Sequence, residues 1–192
     1  MRSAGPPGTA RVVVDQLGSR PATLGAGRLL CLDGAAGSGK TTLSAAVHEL
    51  TGARVVHLDD LYAGWSGLGE IDEQLATLLE PLGRGEPGHY RRYDWHRRAW
   101  AETVIVEPAA LLVLEGVGCG AARFAALQTL LVWVTAPPDL RLTRGLERDG
   151  IELQPQWTTW MREEERVFAR ERTHERADIV VDGTGRTPPV LR

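Results

Sequence analysis

The stretch RLLCLDGAAGSGKTTL, residues 28–43, decides how this chain folds. It joins a short apolar run to a glycine-rich turn, and residues 34–41 fit the pattern GxxxxGK[ST]. Glycines let the backbone N–H groups of such a turn point inward at phosphate oxygens, and the helix that follows adds the positive end of its dipole. The sequence therefore predicts a strand over residues 29–32, a phosphate-binding loop, and a helix over residues 41–50.

The side chains of this loop suit a nucleoside triphosphate with Mg²⁺. Lys40 is the only lysine among the 22 basic residues, and its compact ammonium suits a crowded phosphate pocket better than the planar fork of arginine. We expect Lys40 to reach the β- and γ-phosphates and the Thr41 hydroxyl to bind Mg²⁺. The predicted nucleotide-binding residues are Gly34, Ala35, Ala36, Gly37, Ser38, Gly39, Lys40, Thr41 and Thr42.

Length and composition favour one cytoplasmic domain. The 192 residues, 43% of them apolar, suffice for one substantial core and are too few for two ordinary domains. The net charge of −3 gives no electrostatic reason to expect a nucleic acid as the partner. We find no apolar run long enough to span a membrane and no apolar signal core, so we expect Cys31 and Cys119 to be buried thiols in the reducing cytosol.

The two ends of the chain are predicted to be tails. Residues 1–10 are rich in Gly and Pro and are expected to be disordered, while residues 11–14 could add an edge strand. This divides the chain into an N-terminal tail over residues 1–27, one domain over residues 28–183, and a C-terminal tail over residues 184–192.

Within the domain, strand-like and helix-like segments alternate. Strand-like runs lie at residues 54–58, 110–114, 129–135 and 178–181. Those at 110–114 and 129–135 are continuous apolar runs, which are typical of strands covered on both faces. Helical patterns lie between them, at residues 71–82, 140–148 and 156–176. Residues 63–70 resemble a loop, and residues 104–106 could be a strand of an inserted hairpin. The order predicts an α/β fold of three layers, with a parallel sheet between helices as in P-loop NTPases.

Acidic side chains follow two of these strands. Asp59 and Asp60 come after the second strand, and Glu115 ends the third. Ligands of open α/β sheets bind at the carboxyl ends of the strands, where an acid facing a phosphate loop can hold Mg²⁺ or accept a proton. The alternative for Asp59 and Asp60 is a helix N-cap pair, and for Glu115 an acid that simply precedes a turn.

Five motifs together resemble a known family. GAAGSGKTTL, LDDLY, YDW, LVLEG and RLTRGLERDG occur in this order. The combination is similar to the uridine kinase branch of P-loop metabolite kinases, which includes phosphoribulokinase-like and pantothenate kinase-like enzymes. The likeness runs from about Arg28 to Gly183. It implies ATP and Mg²⁺ as cofactors, and a small molecule with a hydroxyl group as the acceptor.

The resemblance also implies roles for the acceptor side. Asp59 stands at the base that deprotonates the acceptor hydroxyl, Tyr62 at the tyrosine of the same motif, and Asp94 at an aspartate that grips ribose hydroxyls. The sequence departs from the family at Leu61, which replaces Phe, and after Asp94, where the family has His-Pro. The candidate acceptor-binding residues are Asp59, Tyr62, Trp65, Arg92, Tyr93, Asp94 and Trp95.

On the phosphate side, the resemblance implies a metal set and a basic lid. The candidate metal ligands are Thr41, Asp59 and Glu115, and the candidate catalytic residues are Lys40, Asp59, Arg144 and Arg148. Independently, Arg141 shares one helical face with Arg144 and Arg148, which suits either a lid facing an anion or a solvated helix. We expect Trp157 and Trp160 to anchor the next helix to the core, and residues 163–165 to form a solvated face.

Three functions remain open from the sequence. The leading one is transfer of the γ-phosphoryl group of ATP, or GTP, to a nucleoside-like or other polyol metabolite. The second is a kinase for an anionic acceptor, because four arginines flank Asp94, namely Arg91, Arg92, Arg97 and Arg98. The third is a nucleotide-binding regulatory protein with slow hydrolysis, which would need neither a base at Asp59 nor a basic lid.

Overall fold

A parallel sheet runs through the centre of the molecule, in a computed structural model that describes residues 5–192. The five strands predicted for this sheet are confirmed, and their ends lie within two residues of the predicted ones. A short antiparallel strand from the predicted C-terminal tail extends one edge. From edge to edge the strands are β2 (Arg54–His57), β5 (Leu111–Glu115), β1 (Arg28–Asp33), β6 (Leu130–Thr135), β7 (Ile179–Asp182) and β8 (Val190–Leu191).

Helices cover both faces of this sheet, which gives the three predicted layers. Two apolar clusters result, one on each face, because alternate side chains of a strand point to opposite sides. In β1, for example, Leu29 and Cys31 belong to one cluster and Leu30 and Leu32 to the other. The predicted helices correspond to α2 (Lys40–Thr51), α3 (Ile71–Gly83), α4 (Pro138–Asp149), and α5 (Gln154–Glu171) with α6 (Thr173–Arg176).

One predicted helix is divided in two. The helix expected over residues 156–176 ends at Glu171, because Arg172 takes a left-handed conformation with a φ of 50°. A bulky side chain rarely adopts this conformation, and it ends the helical hydrogen-bond pattern. Trp157 and Trp160 are buried, as expected for residues that anchor this helix to the core.

The prediction for the N-terminal tail is wrong. Instead of disorder and an edge strand, the chain forms a helix, α1 (Pro6–Gly18), that packs on α2. The β-branched run of residues 12–14 favoured a strand, but Ala10, Val13 and Leu17 have helical spacing and are buried in the cluster around α2. Packing therefore outweighs local propensity. Residues 1–4, also predicted to be disordered, lie outside the described part of the chain.

An inserted hairpin stands apart from the main sheet. Its strands, β3 (Gly88–Asp94) and β4 (Ala99–Val106), are antiparallel, so the predicted strand over residues 104–106 is confirmed and is longer than expected. The loop predicted over residues 63–70 contains a 3₁₀-helix, Gly64–Glu70. Cys31 and Cys119 are both buried and unpaired, as predicted. In the described residues, no helix is long and apolar enough to cross a membrane.

Candidate active site

A large cavity lies at the carboxyl ends of β1, β2 and β5. It has a volume of about 1440 Å³, and its walls include the phosphate loop, Asp59 and Glu115. The three elements meet here because parallel strands end at the same edge of a sheet. The cavity therefore brings together the residues that the sequence predicted for phosphate, metal and base.

The phosphate loop connects β1 to α2 and forms part of the cavity wall. Six of its nine candidate residues line the cavity, namely Ala36, Gly37, Gly39, Lys40, Thr41 and Thr42. Gly34, Ala35 and Ser38 are not part of the wall. The Lys40 ammonium donates hydrogen bonds to the carbonyl oxygens of Gly34 at 2.8 Å and Ala35 at 3.0 Å, so it lies across the mouth of the loop.

A close approach explains why glycine is needed within the loop. Gly37 has a φ of 75°, and a Cβ there would lie 2.6 Å from the carbonyl oxygen of Arg141 in α4. Gly183, just after β7, lies against the other side of the loop, where an added Cβ would be 1.7 Å from the carbonyl oxygen of Ser38. The loop is thus held between α4 and the end of β7.

Asp33, which the sequence did not single out, ties the loop to the segment after β5. Its Oδ1 accepts hydrogen bonds from the amides of Gly34 at 2.7 Å and Gly118 at 2.9 Å. Its Oδ2 accepts one from the amide of Gly120 at 2.8 Å. Burial raises the pKa of this carboxyl, against the lowering effect of the three amides. The carboxylate fixes where the phosphate loop begins.

Thr41 and Glu115 meet as a metal site would require. The Thr41 hydroxyl donates to Oε1 of Glu115 at 3.1 Å, and Nδ1 of His57 is 2.5 Å from the same oxygen. Burial tends to raise the pKa of Glu115, but the hydrogen bonds with His57 and Thr41 and the positive charges of Lys40 and His57 together outweigh it, so the pKa is lowered. The hydrogen bond with Glu115 raises the pKa of His57. His57 was missed by the sequence analysis, although it is the polar residue that ends β2.

This pair of oxygens fits Mg²⁺. The described residues contain no group of three or more His, Cys, Asp or Glu side chains that could hold a metal by themselves. Mg²⁺ is usually bound through one or two protein oxygens together with substrate phosphates and water, so Thr41 and Glu115 beside a phosphate loop form a suitable set. Within the loop, the buried Ser38 hydroxyl has no hydrogen-bond partner among the described residues.

Asp59, and not Asp60, faces the cavity. Both lie on a single 3₁₀ turn, Leu58–Asp60, after β2, and the residue at its N-cap is His57, so neither acid occupies the cap position. Although Asp59 is accessible from the cavity, poor solvation raises the pKa of its carboxyl and the charge of Glu115 raises it further. A carboxylate with a raised pKa is a better proton acceptor.

Part of the cavity wall is aromatic. Trp65 makes edge-to-face contacts with three indoles, at centroid distances of 5.7 Å to Trp95, 6.0 Å to Trp157 and 6.1 Å to Trp160. Trp95 also donates a hydrogen bond from Nε1 to the backbone oxygen of Asp59 at 2.8 Å. The aromatic wall consists of Tyr62, Trp65, Tyr93, Trp95, Trp157 and Trp160.

Two of the predicted acceptor residues are not brought to this cavity. The Arg92 guanidinium pairs with Glu102 across the hairpin, with Nε and Oε1 2.7 Å apart. The Asp94 carboxylate accepts hydrogen bonds from the amides of His96 at 3.0 Å and Arg97 at 2.9 Å, and these amides hold its pKa below the usual range. Both side chains serve the hairpin and its turn, so their placement does not support the predicted contact with the acceptor.

Two arginines of α4 line the cavity, and one of them contacts the phosphate loop. Arg144 donates from Nη1 to the carbonyl oxygen of Gly37 at 3.0 Å. Arg148 is held at the cavity by Asp149, with Nε and Oδ1 2.7 Å apart, and its guanidinium lies 5.8 Å from the ring centroid of Trp157. Their place in the cavity wall is compatible with the predicted lid, and their role there stays a prediction.

Arg141, the third arginine of that helical face, does not line the cavity. It is buried, and its Nη1 lies 2.5 Å from Oε1 of Glu164. Two predictions are therefore wrong. Arg141 lies neither on a lid nor on a solvated helix face, and Glu164, predicted to lie on a solvated face, is completely buried. The two acids on either side of Glu164 are not buried in this way, since Glu163 lines the cavity and Glu165 is exposed.

Comparison with known proteins supports the fold. No protein-family model and no curated protein matches the chain. Among solved structures, the chain is similar to one described as a possible uridine kinase from Bacillus stearothermophilus, with a TM-score of 0.64, 18% identity, and coverage of 91% of this chain and 97% of the other. A protein assigned as a fructose transport system kinase from Silicibacter matches with a TM-score of 0.62, 18% identity, and coverage of 86% and 94%. The chain thus has the P-loop NTPase fold of these kinases.

Proposed function

We propose that this protein is a phosphotransferase that moves the γ-phosphoryl group of ATP to a hydroxyl group of a small, uncharged molecule. The observation that carries the proposal is one cavity whose walls contain both sets of residues. We call the phosphate loop, the Thr41–Glu115 contact and Asp59 the phosphate end, and the aromatic wall the acceptor end. A cytoplasmic location, with neither nucleic acid nor membrane as a partner, belongs to the same proposal.

Each residue of the phosphate end has a distinct role in phosphoryl transfer. The loop amides and Lys40 bind and orient the triphosphate, and Arg144 and Arg148 stabilise the charge that develops on the transferred group. Thr41 and Glu115 would hold Mg²⁺, which when bound neutralises phosphate charge. Asp59 accepts the proton of the attacking hydroxyl, and its raised pKa suits that role.

The aromatic wall and the pairing of nearby arginines favour an uncharged acceptor. Of the four arginines that could have bound an anion, Arg92 pairs with Glu102 and Arg97 lies 3.9 Å from Asp94. Arg91 lies over the ring of Trp100, outside the cavity wall, which leaves Arg98 as the one of the four that lines it. Flat rings and apolar faces bind well against indole and phenol side chains.

The position of Asp59 favours an enzyme over a regulatory nucleotide-binding protein. A protein that only binds a nucleotide does not need a carboxylate of raised pKa between the metal site and an aromatic pocket. Two features hold Asp59 in position. It lies on the turn after β2, and its backbone oxygen accepts a hydrogen bond from Trp95.

The test is ATP consumption measured against a panel of acceptors. The panel contains nucleosides and other ring-bearing alcohols, simple sugars, hydroxy acids and sugar phosphates, and the product is identified by its mass. We expect phosphorylation of a ring-bearing, uncharged alcohol. Turnover only with hydroxy acids or sugar phosphates would favour the anionic-acceptor kinase, and slow hydrolysis with no phosphorylated product would favour the regulatory protein.

A further inference from the structure

Glu164 makes an unusual contact for an acid in a run of three glutamates. Its side chain is completely buried, and its Oε2 accepts a hydrogen bond from the backbone amide of Ala36, within the phosphate loop, at 2.8 Å. Its Oε1 pairs with Arg141 at 2.5 Å. One side chain of α5 thus contacts both the phosphate loop and α4.

Such an arrangement needs an explanation, because a buried ion pair is costly. Desolvation of two charges can exceed their attraction, and apolar residues of similar volume often do as well for stability. A lone carboxylate beside a phosphate loop would also repel the triphosphate. Arg141 cancels that charge, so the loop keeps a strong hydrogen-bond acceptor for Ala36 without a net negative charge beside it.

The pair is also continuous with the residues that act on phosphate. Arg141 lies one turn before Arg144, whose guanidinium donates to Gly37, the residue after Ala36. The backbone of Arg141 packs so closely on Gly37 that a Cβ there would lie 2.6 Å from its carbonyl oxygen. Because Glu164 contacts both Arg141 and Ala36, it holds α4 against the phosphate loop. The position of Arg144 and Arg148, which lie on the same helix, is fixed with it.

We propose that Glu164 and Arg141 are positioning residues, which hold the phosphate loop in its nucleotide-binding shape and seat α4 against it. Neither residue lines the cavity, so neither is expected to touch a substrate. The inference rests on the proposed function, since it assigns the pair to nucleotide binding. It predicts that the pair matters for the nucleotide and not for the acceptor.

A matched pair of double variants isolates the hydrogen bond to the loop. Arg141→Met/Glu164→Gln removes both charges but keeps an oxygen that can accept from Ala36, whereas Arg141→Met/Glu164→Met has nearly the same shape and no acceptor. Binding of a non-hydrolysable ATP analogue is measured by calorimetry. We expect the second variant to bind the analogue about tenfold more weakly than the first, because its phosphate loop has lost the acceptor for Ala36 and is no longer preorganised.

The controls separate this inference from stability and from the proposed function. Glu165→Met/Arg166→Met makes the same kinds of change at exposed positions of α5 and should leave affinity and acceptor KM unchanged. Equal affinity for the two Arg141/Glu164 variants would overturn the inference. If the unmodified protein did not bind the analogue, the proposed function itself would fail.

A second variant decides the matter should the methionine variant not fold. Glu164→Asp keeps the charge for Arg141, but the side chain is one methylene shorter and cannot serve both partners in place. We expect its nucleotide affinity to fall about tenfold with the acceptor KM unchanged, again through lost preorganisation. A folded Glu164→Asp variant with normal nucleotide affinity would refute the inference.

Discussion

The two ends of the cavity differ in the kind of group that forms them. The phosphate end consists largely of backbone groups from one continuous segment, residues 34–41, with Lys40 folded across it. The acceptor end consists of side chains from separate elements, with Trp65 from a 3₁₀-helix, Trp95 from the hairpin and Trp157 from α5. Backbone recognition depends little on the neighbouring sequence, so the transfer machinery can stay the same while the acceptor changes.

The largest effect should come from Lys40, at the phosphate end. Lys40→Met keeps most of the stem and removes the ammonium that offsets β- and γ-phosphate charge during transfer. We expect no detectable phosphoryl transfer and a normal circular dichroism spectrum. Normal turnover by this variant would rule out the phosphate-loop mechanism.

Arg144 and Arg148 should come next. If they stabilise charge on the transferred group, either change to alanine lowers kcat by a factor on the order of 10³, as for other arginines in this role. Steady-state kinetics at saturating ATP and acceptor measures this directly. Arg166→Ala, an exposed arginine of α5, is the control and should behave normally. A loss of thermal stability with unchanged kcat would instead assign α4 a purely structural role.

Asp59 joins the two ends of the cavity, and its replacement should separate binding from chemistry. Asp59→Asn keeps the shape and removes the basicity, so transfer should fall by roughly 10² or more, while ATP affinity stays within about threefold. Isothermal calorimetry and product formation measure the two quantities separately.

Asp60 is the matched control for this experiment, because it lies next in the chain and does not line the cavity. Asp60→Asn should transfer phosphate at close to the normal rate. If Asp60→Asn were inactive and Asp59→Asn active, the roles of the two acids would be reversed. If neither change affected transfer, the proposed base would be wrong.

The same contrast explains what the sequence could predict. The phosphate loop, the parallel strands and the acids at the strand ends follow local rules, and the structure has them within a residue or two of where the sequence indicates. The helix α1 was not predicted because the β-branched residues 12–14 favour a strand. Its packing on α2, which stabilises the helix, cannot be recognised from the sequence of α1 alone. Arg92 was assigned to the acceptor because it flanks Asp94, whereas its pairing with Glu102 depends on the fold of the hairpin that brings the two side chains together.

Glu164 shows that some of the missed signals were present. Within α5 it shares a face with Trp157, Trp160 and Val167, all buried, so its helical position already indicated burial. Read as part of a run of three acids, however, it is typical of a solvated surface. An ionisable residue in phase with large apolar ones should therefore be treated as buried, and a partner such as Arg141 sought for it.

The smallest effect should come from the acceptor end, where the aromatic side chains support one another. Trp65→Leu keeps an apolar side chain but removes the indole that contacts Trp95, Trp157 and Trp160. We expect the acceptor KM to rise about tenfold, which corresponds to the loss of one good aromatic contact, with the ATP KM unchanged. Trp133→Leu, at an indole outside the cavity wall, is the control and should change neither KM. Equal rises in both KM values for Trp65→Leu would mean that the aromatic wall shapes the whole cavity, and the division between a phosphate end and an acceptor end would no longer hold.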